Sequence, residues 1–139
     1  MDTAIMTIRI VQLGTPRHDG EVLRLGTVRR PPRGVPKENW SKLNYYDVWL
    51  PILAPSVELM AQAKAALEAK NAKAWSGFEK SFLKEMNSGD ASRTLDLLAV
   101  LSKTTDLSLG CYCQEESKCH RSLLRHLLVQ RHAVVAVDQ

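Results

Sequence analysis

The stretch spanning residues 107–128 restricts the fold more than any other part of the chain. Leu107, Leu109, Cys111 and Cys113 alternate with Ser108, Gly110 and Tyr112. That is the period-two pattern of a strand, and it predicts both thiols on one face. Gln114, Glu115 and Glu116 then break the alternation as a polar loop. Ser117 can cap a helix through its hydroxyl. His120, Leu123, Leu124, Leu127 and Leu128 recur at three- and four-residue spacing, so they predict a helix that buries one stripe. Arg121, Arg125 and Gln130 fall away from the centre of that stripe. The apolar run 133–137 follows and reads as a final short strand. Two strands joined by a helix lie parallel, so this chain is predicted to build an α/β sheet.

The upstream segments are consistent with that. Residues 7–13 alternate and are β-branched, which predicts a strand that Gly14 and Pro16 stop. Asp19-Gly20 marks a turn, and 21–28 reads as a second strand. Arg29-Arg30-Pro31-Pro32-Arg33-Gly34 is a stiff extended loop, because paired prolines forbid helix and cannot pair in a central sheet. Residues 46–50 predict a strand ended by Pro51, with Asp47 a candidate partner for a loop arginine. Ser56 is placed to cap a helix with Val57, Met60, Ala63 and Leu67 on its apolar face. Trp75, Phe78, Phe82 and Met86 predict a second helix, and Leu95, Leu98 and Leu101 a third, from about 91 to 103. The expected architecture is one α/β domain over residues 1–139, of three-layer type, with about five mixed or parallel strands and about four main helices.

Composition excludes several classes. Hydrophobic content of 45% and charged content of 24% are those of a soluble globular protein, and no apolar run is long enough to span a bilayer. Asp2 and the absence of an early basic region argue against a signal peptide, so a cytoplasmic protein without membrane contact is expected. Three cysteines, all clustered, do not make a secreted disulfide framework. The net charge of +4 is uneven: +3 over residues 1–35, −2 over 36–116 and +3 over 117–139. Two basic ends that meet in space favour a small anionic ligand or nucleic acid.

The chemistry-bearing residues fall in the same stretch. At the start of a helix, free amides and the positive dipole end favour a thiolate and an anion. Cys119 or Cys111 is therefore a candidate nucleophile and His120 a candidate general base or acid. Arg121 and Ser122, with Arg29, Arg30 and Arg33 from the proline loop, are candidate anion-binding residues. The site would lie beyond the carboxyl ends of the strands, where open α/β sheets bind ligands. A phosphatase loop is not indicated, since six residues after Cys113 stands Cys119 and six after Cys111 stands Ser117.

Two other readings compete. Cys111, Cys113 and Cys119, with His120, form a donor set suited to zinc, although no cofactor is required by the sequence. The spacing is poor for a zinc knuckle, and on a helix Cys119 and His120 would diverge by about 100°. Alternatively, the cysteines are inert core residues, since free cysteine packs as a small hydrophobe.

The chain resembles the domain of unknown function 488 family, an uncharacterised bacterial and archaeal group. The resemblance rests on Pro32-Arg33-Gly34, on Leu53-Ala54-Pro55-Ser56 followed by Glu58-Leu59, and on Cys111 with Cys119-His120-Arg121 eight residues later. It spans nearly the whole chain and implies an α/β fold, but no established activity. Two positions depart from the pattern: Pro31 stands where many relatives have Trp, and Cys113 where the cysteine-bearing branch usually has an acid.

Overall fold

The computed structural model describes residues 7–137. The expectations tied to Asp2 and the extreme N-terminus lie outside them. Four strands form one wholly parallel sheet: β1 (Ile8–Gln12), β2 (Leu23–Gly26), β3 (Val48–Trp49) and β4 (Leu107–Cys111), in the order β1-β4-β2-β3. Four helices accompany it: α1 (Val57–Glu68), α2 (Ala72–Met86), α3 (Gly89–Leu101) and α4 (His120–Gln130). The last strand in sequence is therefore a central one. Its register pairs Leu107 with Ile8 on one side and with Leu23 on the other. All five residues of β4 are buried, as expected of a strand covered on both faces.

Alternation sorts the two faces. Ile8, Leu25, Leu107 and Leu109 join Phe78, Phe82, Leu95, Leu98, Leu124 and Leu128 in one hydrophobic core beneath the helices. The opposite face carries Arg24, Gly26, Ser108 and Gly110, and it is covered by irregular chain rather than helices. Tyr46 lies so close over Gly26 that a Cβ there would sit 2.2 Å from the ring. Leu13 lies over Gly110 in the same way, at 2.6 Å. Both glycines are required by this close approach of the covering segments.

That covering layer holds a buried ion pair that the sequence did not announce. Arg24 is fully buried, and its guanidinium donates to Glu21 at 2.8 Å, to Thr15 O at 2.7 Å and to Asn44 O at 2.9 Å. Burial alone would raise the Glu21 pKa, but the Arg24 hydrogen bond and the His18 N–H hold it below the ordinary carboxylate range. Asp47 does pair with an arginine, but with Arg17 at 2.8 and 2.9 Å rather than with the proline loop.

Several expectations are corrected. Residues 133–137 contribute only a single parallel bridge, Ile8 to Val135, in place of a full strand. The apolar face of α1 is rotated: Leu59 and Ala66 are buried, whereas Val57, Met60 and Leu67 are exposed. Ser56 does cap α1, accepting from Leu59 N at 3.3 Å. Ser117 does not cap α4; it sits in a short 3₁₀ turn, Glu116–Lys118, and Cys119 occupies the N-cap position. Arg121 was expected off the buried stripe but is only 3% exposed.

Candidate functional site

Because the sheet is parallel, β2 and β4 deliver their following residues to the same edge. β2 runs into Thr27, Val28, Arg29 and Arg30, and β4 into Tyr112 and Cys113. Between them opens a cavity of about 270 Å³ lined by Val28, Arg29, Arg30, Pro55, Met60, Cys111, Tyr112, Cys113 and His120. Cys111, Cys113 and the first part of the arginine-rich loop, distant in sequence, share this opening. A second groove of about 370 Å³, lined by Arg30, Pro31, Pro32, Arg33, Tyr45 and Tyr112, has Arg30 and Tyr112 in common with it.

The three thiols are free and differ in setting: Cys111 and Cys119 are buried, Cys113 is exposed. They do not share a strand face, because β4 ends at Cys111 and the chain turns away before Cys113. Cys119, extended at φ −145° and ψ 153°, is not yet helical. Its side chain therefore escapes the helical divergence from His120, and its Sγ lies 3.6 Å from His120 Nδ1. The donor atoms of Cys111, Cys119 and His120 all lie within 4.8 Å of one another.

His120 is held from its far side. Its Nε2 is 2.6 Å from Thr27 O, an acceptor only, so Nε2 carries the proton and Nδ1 presents its lone pair to the sulfurs. Phe82 meets the ring edge-on at 5.6 Å. Burial lowers the imidazole pKa to about 4, although the Thr27 carbonyl opposes this, so the ring is neutral at pH 7.

Electrostatics separates the thiols. Contacts with Cys113 and then Cys119, reinforced by burial, push Cys111 far up. The Cys111 contact pulls Cys119 down, but the Cys113 contact and burial outweigh it and leave Cys119 at about 11. Cys113 goes the other way: its contacts with Cys111 and Cys119 hold it well below an ordinary thiol, against the cost of desolvation, with His120 and Arg121 adding attraction. Of the three, the exposed cysteine is the one these contacts shift towards the thiolate.

Arg121 supports this placement. Its Nη2 donates to Cys113 O at 2.6 Å, while its buried Nε has no partner. Among the described residues no carboxylate pairs with it. A buried cation without a counter-anion is costly, and the adjacent thiol group supplies negative charge.

The remaining candidates divide. Arg29 spends its guanidinium on Pro55 O and Ala54 O, both at 3.0 Å, tying the proline loop to the Leu-Ala-Pro-Ser segment. Arg30 and Arg33 make no side-chain hydrogen bond or ion pair among the described residues, and Arg33 reaches only the second groove. Ser122 bonds back to Cys119 O at 3.0 Å and does not line the cavity. Sequence reasoning missed Met60, whose exposure on α1 is explained by its place in the cavity wall. It also missed Thr27, which acts through a backbone carbonyl that side-chain identity does not reveal.

The family model DUF488-N3a, described as the active DUF488-N3 subclade, matches residues 8–132. No curated protein and no solved structure matches the chain.

Proposed function

For a chain that belongs to the DUF488 family, in its N3a subclade, we propose thiol-dependent chemistry on a small anionic ligand of the phosphate or nucleotide class. The observation that carries this reading is one cavity lined by both Arg30, whose side chain has no partner among the described residues, and Cys113, the thiol of lowered pKa. The cavity of about 270 Å³ suits a compact anion, and the adjoining groove between Tyr45, Tyr112 and Arg33 offers room for a larger flat group. Arg30 and Arg33 hold the negative charge. Cys113 attacks an electrophilic atom of the ligand, and the displaced group leaves with the bonding pair. Because Cys113 attacks as the thiolate it has no proton to lose, so the leaving group takes its proton from solvent, while His120, neutral at pH 7, keeps its Nδ1 lone pair turned to Cys119. The subclade's description as active fits a reacting group at this edge.

The test is protection. Iodoacetamide should label Cys113 below pH 8, well before an ordinary thiol reacts. A nucleoside monophosphate or pyrophosphate should slow that labelling. Arg30→Ala should weaken the protection by about tenfold, the worth of one charge-assisted contact. Failure of every phosphate-bearing ligand at millimolar concentration to protect Cys113 or to raise the melting temperature would exclude the anion reading.

A further inference from the structure

We infer that Cys111, Cys119 and His120 bind a zinc-like divalent cation, with the fourth position turned towards Cys113 and the cavity. The inference goes beyond the anion reading and does not depend on it.

Three independent features carry it. The first is distance. Ligands at ordinary zinc–sulfur and zinc–nitrogen lengths in a tetrahedron lie about 3.6 Å apart, sulfur to nitrogen. Cys119 Sγ and His120 Nδ1 are 3.6 Å apart, and the whole three-atom group falls within 4.8 Å. The second is tautomer. A metal-ligating histidine donates its other N–H to a carbonyl or carboxylate, and His120 does so to Thr27 O at 2.6 Å. Thr27 is itself fixed, its N–H and hydroxyl both bonding Gly110 O at 2.9 and 3.0 Å. The third is charge. Two thiolates and a neutral imidazole balance a dication, and Cys113 stays outside the ligand set, beside Arg121, whose buried Nε has no partner among the described residues.

The spacing objection disappears in the fold. Cys119 and His120 would diverge on a helix, but Cys119 lies ahead of the first helical residue in extended backbone. Cys111 arrives from the end of β4, the strand that leads into this loop. The donor set is sulfur and imidazole, which favours zinc over magnesium or calcium. Binding converts the Cys111 and Cys119 thiols to thiolates, so two protons leave as the metal enters.

The experiment uses the whole chain, reduced and metal-free, with three titratable thiols verified first. Cobalt(II) should saturate at one equivalent and give the intense visible bands of a tetrahedral thiolate site. Zinc should bleach those bands, and each metal should release protons on binding. Cys119→Ser should weaken cobalt binding by more than about a hundredfold, beyond the loss typical of an outer-shell change. Cys113→Ser should retain one equivalent of cobalt. The inference is overturned if the wild-type chain shows neither bands nor proton release, a readout that needs no folded variant. It is equally overturned if binding survives Cys111→Ser/Cys119→Ser, which would place the metal elsewhere. Cobalt bands without phosphate protection would leave the metal site standing and remove the anion reading; the reverse result would do the opposite.

Discussion

Gly26→Ala should be among the most damaging single-methyl additions in the molecule. A Cβ at Gly26 would lie 2.2, 2.6 and 2.8 Å from three ring carbons of Tyr46. Ordinary contact is near 3.5 Å, so the ring must retreat by roughly 1 Å. It has nowhere to go: Tyr46 is fully buried and packs edge-on to Trp40 at a ring separation of 4.9 Å. Overpacking of this kind costs about 1–3 kcal/mol, and a rigid ring puts the cost at the upper end. For a chain of this length, about 3 kcal/mol corresponds to a fall in melting temperature of about 10 °C. The assay is a double-mutant cycle by chemical denaturation. In a Tyr46→Ala background the clash is gone, and since Gly26 does not need positive φ, the alanine should be neutral or stabilising by about 0.5 kcal/mol. Coupling of about 3 kcal/mol is therefore expected. An equal cost of Gly26→Ala in both backgrounds would refute the reasoning. Tyr46 packs in one cluster with Cys111 and Cys119, so the single variant should also speed alkylation of those buried thiols.

Two further perturbations test the buried ionisable groups. In the metal-free chain the folded pKa of His120 is about 4, below its unfolded value, so the unfolded chain binds the extra proton first; stability should fall as pH drops from about 6.5 towards 4, and His120→Gln should flatten that part of the curve measured by urea denaturation with chelator present. Glu21→Gln leaves the fully buried Arg24 without its counter-charge and should cost about 3–5 kcal/mol, with Arg24→Met/Glu21→Gln recovering part of the loss in the same assay.

The periodic elements were legible in the sequence because burial imposes a repeat. The stripe of α4, the aromatic stripe of α2 and the alternation of β4 are all direct records of one face meeting the core. The α1 face was misread because Leu59 and Ala66 are the residues it buries, while Met60 lines the cavity. Strand order was hidden: nothing local in residues 8–12 or 23–26 says that a strand from residue 107 onward divides them. At the site, the residues that meet were identifiable by type, but their roles were not. Whether a thiol is exposed depends on where β4 stops, and whether Cys119 and His120 converge depends on one extended residue. Arg24 and Glu21 gave no signal, since a buried pair reads in sequence like any surface pair.

The order β1-β4-β2-β3 also bears on synthesis. A nascent chain that has emerged only as far as α3 owns both flanks of its sheet but not the strand that joins them, so β1 and β2 must wait with a one-strand gap between them. Closing that gap brings Cys111 to the sheet edge, and the short connection to α4 brings Cys119 and His120 moments later. The grouping of Cys111, Cys119 and His120 therefore exists only once β4 has paired with both of its neighbours.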